Sequence, residues 1–206
     1  MKLSRCIFCL AVLSLAAGCA TMDKSECREA DWRTIGLEDG SAGRAVAYIG
    51  NHRKACAEYG VAPDLAAYRD GHAIGVRQFC TPPNGFRQGR AGRGYAGVCP
   101  PDLENDFLAA HATGHRLYSL DNEIDRLQRD ARHMDEDRAA LAERRDNIET
   151  ALVSGGLSTQ DRKALLDRYK RLQSDIALLD SDIHDFELEA ARLQGEYDLL
   201  NGSHGY

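Results

Sequence analysis

The chain has 206 residues, 28% of them charged and 7% aromatic, with a formal net charge of −6 at pH 7. Once the first eighteen are set apart, it is long enough for one globular domain plus an extension. No second apolar stretch approaches the length of a bilayer-spanning helix.

The N-terminus reads "MKLSRCIFCLAVLSLAAGC". Lys2 and Arg5 precede an apolar run from Ile7 to Ala17, about half of what a bilayer span needs, so residues 1–18 are predicted to be a signal peptide. Small residues directly before Cys19 resemble the bacterial lipobox, which implies a lipidated cysteine at position 19 and stable anchoring by several acyl chains. Ala20 stands where an aspartate would favour inner-membrane retention. The expected location is therefore the cell envelope, on the periplasmic face of the outer membrane. Residues 19–25 are read as a tether.

Residues 26–101 are expected to form a small, glycine-rich helical domain held by disulfides. Cys27, Cys56, Cys80 and Cys99 make an even number in an oxidising compartment, and no C-x2-C knuckle is present to favour zinc. Short helices are predicted from Cys27 to Asp39, from Arg44 to Tyr59, and from an Asp64 cap to Phe79, where "TPPNG" stops the third. If the first two fold back at Ser41-Ala42, Cys27 meets Cys56. The remaining pair, Cys80 and Cys99, then closes the loop between them, which is worth roughly 3 kcal/mol on the chain-entropy model.

That loop contains "NGFRQGRAGRGYAGVC" at 84–99. In the periplasm its arginines have no RNA to meet, so no nucleic-acid partner is expected. The segment reads as a solvated, flexible loop, or alternatively as a binding site for an anionic envelope component through Arg87, Arg90 and Arg93.

A weak repeat places Gly36 and Gly40 after Trp32, Gly71 and Gly75 after Tyr68, and Gly114 before Tyr118. Glycine inside a helix costs about 1 kcal/mol relative to alanine, which close approach of another backbone would offset. Asp-Gly turns between shorter helices are the other reading. Cys27, "DWRTIGLEDGSAGR", "HRKAC", "YRDGHAIG", Cys80 and "GYAGVCP" together resemble the family called domain of unknown function 2799, over roughly residues 27–118. The resemblance implies a bacterial lipoprotein or secreted protein and supplies no catalytic residues.

The texture changes at Pro100-Pro101. Residues 19–101 carry a net charge of +2 and residues 102–206 a net of −10. The domain boundary is placed there, with one helix expected to run through it. In residues 102–206, Leu117 to Leu152 and Leu165 to Leu200 alternate apolar spacings of three and four, a heptad pattern in both arms. "SGGLSTQD" supplies the turn and a Ser158 cap. Folding there pairs positions that sum to 317, giving an intramolecular antiparallel coiled coil about 50–55 Å long. Arg138 and Arg145 interrupt the seam, with Asp175 and Asp182 as expected partners for their guanidinium groups. The fold class is thus all-α, a disulfide-bonded helical domain followed by a long helical hairpin.

No nucleophile elbow, phosphate loop, HExxH or dinucleotide fingerprint is present. His111 and His115 stand at i,i+4 without a third ligand, so no metal and no cofactor are expected. The chain is read as a structural or interaction protein rather than an enzyme, with a membrane contact through its lipid and an envelope protein partner through the hairpin.

Overall fold

The computed structural model describes residues 22–203, so the signal peptide and Cys19 lie outside the described residues. Seven α-helices and no strand occur among the described residues. They are α1 (Lys24–Glu29), α2 (Trp32–Ser41), α3 (Ile49–Ala57), α4 (Leu65–Phe79), α5 (Pro82–Arg90), α6 (Pro101–Val153) and α7 (Thr159–Gly202). Two compact units divide them. Residues 22–79 and 96–99 form the first, and residues 80–95 with 100–203 form the second. The units therefore do not part at residue 101, because α5 packs on α6 and joins the hairpin.

In the first unit, order begins before residue 26. Met22 is buried, and Asp23 starts α1 with a capping box: its carboxylate accepts from the Glu26 amide at 2.9 Å, and the Glu26 carboxylate accepts from the Asp23 amide at 2.7 Å. Part of the segment read as a tether is thus folded. The single helix expected over 27–39 is two helices, since Asp31 caps a fresh start at Trp32. Met22, Cys27, Trp32, Cys56 and Tyr68 share one buried cluster. Cys27 and Cys56 are disulfide-bonded, with Cα atoms 5.5 Å apart. Cys80 and Cys99 are also disulfide cysteines.

The dominant packing in this unit is α2 against α4, not α2 against α3 as a fold-back at Ser41-Ala42 would require. Glycine explains it. A Cβ built on Gly36 would stand 2.0 Å from the Tyr68 carbonyl oxygen, and one on Gly71 would stand 1.8 Å from that of Arg33. Gly40 and Gly75 repeat the relation one turn on, at 2.5 Å from the His72 oxygen and 2.2 Å from the Leu37 oxygen. The two backbones touch through faces without side chains, so no other residue fits at these positions. This settles the question left open above: the glycines serve close helix approach rather than turns.

The second unit contains the same construction. On α5 and α6, a Cβ at Gly85 would lie 2.4 Å from the Phe107 oxygen, one at Gly89 2.0 Å from the His111 oxygen, and one at Gly114 2.2 Å from the Phe86 oxygen. The correspondence runs residue by residue. Gly36, Gly40 and Gly43 match Gly85, Gly89 and Gly92; Tyr68, His72, Gly75 and Phe79 match Phe107, His111, Gly114 and Tyr118. Gly43 and Gly92 both have positive φ, at 73° and 67°, and each lies under an aromatic ring, Phe79 in one unit and Tyr118 in the other. His72 Nε2 lies 2.7 Å from the Arg44 carbonyl oxygen, and His111 Nε2 lies 2.7 Å from that of Arg93. The fold thus carries a helix pair in duplicate, one copy per unit.

α6 begins at Pro101, whose missing N–H costs nothing in a first turn, with Pro100 extended as the cap, so no helix runs through the Pro100-Pro101 step. It pairs with α7 along most of its length. Leu120, Ile124, Leu127, Ala190 and Leu193 are buried together, with Phe186, Tyr197 and Leu200 against them. These are the layers that a constant sum of 317 predicts. Gly155 and Gly156 turn the chain at φ 78° and 79°, and Ser158 Oγ accepts from the Asp161 amide at 3.1 Å to start α7. The seam arginines differ from expectation in their partners. Arg138 reaches Asp135 at 2.5 Å and Asp180 at 3.2 Å, and Arg145 reaches Asp146 at 2.7 Å, because each finds a carboxylate closer than Asp175 or Asp182.

Candidate functional site

The densest polar cluster in the first unit centres on Asp39, near the C-terminal end of α2. Its side chain is 4% exposed. Three donors converge on its carboxylate. The Tyr68 hydroxyl of α4 and His52 Nε2 of α3 meet Oδ2 at 2.7 and 2.8 Å, and the Arg44 guanidinium donates to Oδ1 at 2.7 Å. Burial pushes the carboxyl towards protonation, but the bonds from Tyr68, His52 and Arg44 outweigh it and hold Asp39 below the usual carboxylate range. Burial and the bond to Asp39 push the Tyr68 phenol up, so it stays protonated as a donor.

Around this hub the His52 ring packs edge to face with its aromatic neighbours. His52 lies 5.3 Å from Tyr48 and 6.3 Å from Tyr68, and Arg44 stacks over Tyr48 at 4.4 Å. His52 Nδ1 is buried and has no hydrogen-bond partner. Nε2 faces the Asp39 carboxylate, and Nδ1, the other ring nitrogen, is closed off from solvent. The hub is therefore chemically a clamp. A buried carboxylate with three hydrogen-bond partners ties α2, α3 and α4 together, beside a cleft of about 360 Å³ that Glu38, Arg44 and His52 also line. The duplicate in the second unit lacks this clamp. Gln88 occupies the position of Asp39 and accepts from Arg93 at 3.2 Å, and Phe107 replaces Tyr68. Asp39 lies in "EDG", a stretch that resembles a turn, so nothing local marks it as a hub. The signal was the contrast between the copies.

The Arg-Gly segment is not a loop over its first half. Thr81 precedes a helix whose first residues are Pro82 and Pro83, and α5 carries Arg87 and Arg90. α4 stops at Phe79 as expected, and the prolines that follow it also begin a new helix. Arg87 donates to Asn84 Oδ1 at 3.1 Å, and Arg93 to Gln88 Oε1 at 3.2 Å. Arg90 is committed inward: it pairs with Asp121 at 2.5 Å, donates to the Tyr197 hydroxyl and lies over that ring. Each of the three has a partner within the unit, and Arg90 fastens α5 to both arms of the hairpin.

His111 and His115 are brought together, with ring centroids 6.2 Å apart, but His111 Nε2 is engaged by the Arg93 carbonyl. Among the described residues no three His, Cys, Asp or Glu side chains gather as a metal site. No described helix is long and apolar enough to cross a membrane.

Residues 31–116 match the model of a family described as protein of unknown function (DUF2799). The matched region takes in α2 to α5 and the first part of α6, which is to say both glycine-crossed pairs. No curated protein and no solved structure matches the chain.

Proposed function

We propose that this chain, a member of the DUF2799 family through residues 31–116, is a lipid-anchored protein on the periplasmic face of the outer membrane. It serves as a structural or protein-interaction component of the cell envelope and not as an enzyme. "LSLAAGC" supports the anchor, and disulfide bonds at Cys27, Cys56, Cys80 and Cys99 suit an oxidising compartment. The observation that carries the interaction role is the hairpin. Most of α6 and all of α7 lie beyond the matched region, and their apolar seam is filled within the chain. What the arm offers to other molecules is a long, acidic, helical surface, the usual material of helix-on-helix docking.

The test has two arms. Cys19→Ser is expected to abolish acyl labelling and to move the protein out of the membrane fraction; unchanged labelling would reject the anchor. Crosslinked pull-downs with the full chain and with a hairpin-deleted chain address the arm. Loss of the captured partners on deletion supports the interaction role, and retention of all of them rejects it.

A further inference from the structure

The first unit holds a groove of about 520 Å³ between the Val46–Tyr48 turn, α3 and the start of α4. Its walls are apolar: Val46, Ile49, Pro63 and Leu65, with Val46 and Leu65 each about two-fifths exposed. Gly50 forms part of the wall, and a Cβ placed there would meet nothing within 4 Å, so the glycine leaves space that no side chain of the chain fills. This distinguishes Gly50 from the helix-crossing glycines.

Two arginines complete the lining. Arg53 follows Ile49 by one turn of α3, and Arg69 follows Leu65 by one turn of α4, so both belong to the groove. No carboxylate lines it, and neither guanidinium has a hydrogen-bond or ion-pair partner among the described residues. Arg44, Arg90, Arg116, Arg126, Arg138 and Arg192 all have carboxylate partners. A concavity of this size with apolar walls and a few charged groups is the usual form of a small-ligand site. Guanidinium groups pair carboxylates through parallel N–H bonds.

We propose that the groove formed by α3 and α4 binds a single-chain anionic amphiphile of the fatty-acid class, its apolar chain along Val46, Ile49 and Leu65 and its carboxylate at Arg53 and Arg69. The site is separate from the Asp39 clamp and from the Arg-Gly segment, and it stands whether or not Cys19 is acylated.

The probe is laurate below its micelle concentration, titrated into the exported full chain carrying Cys19→Ser, so that no acyl group of its own competes. Backbone amide NMR shifts are followed at Gly50, Arg53 and Arg69. Saturable shifts at these positions are expected. The double variant Arg53→Gln, Arg69→Gln should weaken binding at least tenfold, and Gly50→Leu, whose Cβ enters open space in the groove wall, should abolish it. Acetate, the head alone, and dodecyl maltoside, the chain on an uncharged head, should bind at least tenfold more weakly. The proposal is overturned if the arginine variant binds laurate as the wild type does, or if dodecyl maltoside binds equally well. Equal shifts with acetate overturn it too, since they would mark a simple anion site. Should Gly50→Leu fail to fold, the arginine variant still decides, because both side chains are exposed.

Discussion

One substitution, glycine to alanine, should have opposite effects at two places in this chain. At Gly71 the added Cβ would lie 1.8 Å from the Arg33 carbonyl oxygen, about 1.2 Å short of the 3.0 Å that Cβ atoms keep from backbone atoms. The obstacle is backbone on a packed helix, so α2 and α4 must separate. Overpacking of this kind costs typically about 1–3 kcal/mol, and here it sits at the tight end. Alanine returns about 1 kcal/mol through helix propensity. The net expectation for Gly71→Ala is a loss of about 1–2 kcal/mol in the first unit, or more if the Asp39 clamp is pulled open. Gly195 lies in the interior of α7 with nothing within 4 Å of its Cβ position, so Gly195→Ala should gain about 1 kcal/mol. The chain supplies its own probe for the first unit, because Trp32, its single tryptophan, is buried there. Urea unfolding followed by Trp32 fluorescence reads the α2–α4 crossing, and far-UV circular dichroism reads the hairpin. A Gly71→Ala protein as stable as the wild type, or a Gly195→Ala protein that is destabilised, would refute the account of these glycines.

Asp39→Asn should destabilise the first unit by about 1.5–3 kcal/mol at neutral pH, since it weakens bonds to a buried charge. Because the Asp39 pKa is depressed on folding, its contribution is present above the unfolded value and lost as pH falls through the folded one. Trp32 fluorescence should therefore show wild-type stability dropping below about pH 4 and a shallower drop in the asparagine variant; parallel acid curves would count against the clamp. Replacing both Arg138 and Arg145 by leucine should raise the hairpin's melting temperature. Their side chains are 41% and 30% exposed, so solvent screens the ion pairs and they contribute less than a newly buried leucine provides. A lower melting temperature would show that the pairs to Asp135, Asp180 and Asp146 outweigh apolar burial.

The hairpin was readable because its information is local and periodic. Leu120, Ile124 and Leu127 repeat at heptad spacing, and Gly155-Gly156 stands where the two arms must turn. The glycine repeat was visible but ambiguous: Gly36 and Gly40 read equally well as turn residues until α4 is known to lie against them. Pairing α2 with α4 is a long-range choice made by matching bare backbone faces, and single-chain periodicity carries no record of it. α5 was missed because Pro82 and Pro83 can begin a helix as well as end one. The partners of Arg90, Asp121 and Tyr197, are remote in sequence, so its inward commitment could not be foreseen. The Asp39 clamp was hidden for the same reason, drawing His52 and Tyr68 from two other helices.

The constant register of the hairpin makes it a ruler. A one-residue insertion in α6 would rotate every later seam residue by about 100° and pair it with the wrong partner, so length cannot drift one residue at a time. Seven residues removed from α6 and seven from the facing stretch of α7 would leave every remaining layer matched. The arm can therefore shorten or lengthen only in coordinated steps of about 10 Å. Such steps leave both glycine-crossed pairs untouched, which uncouples how far the arm reaches from how the rest of the protein folds.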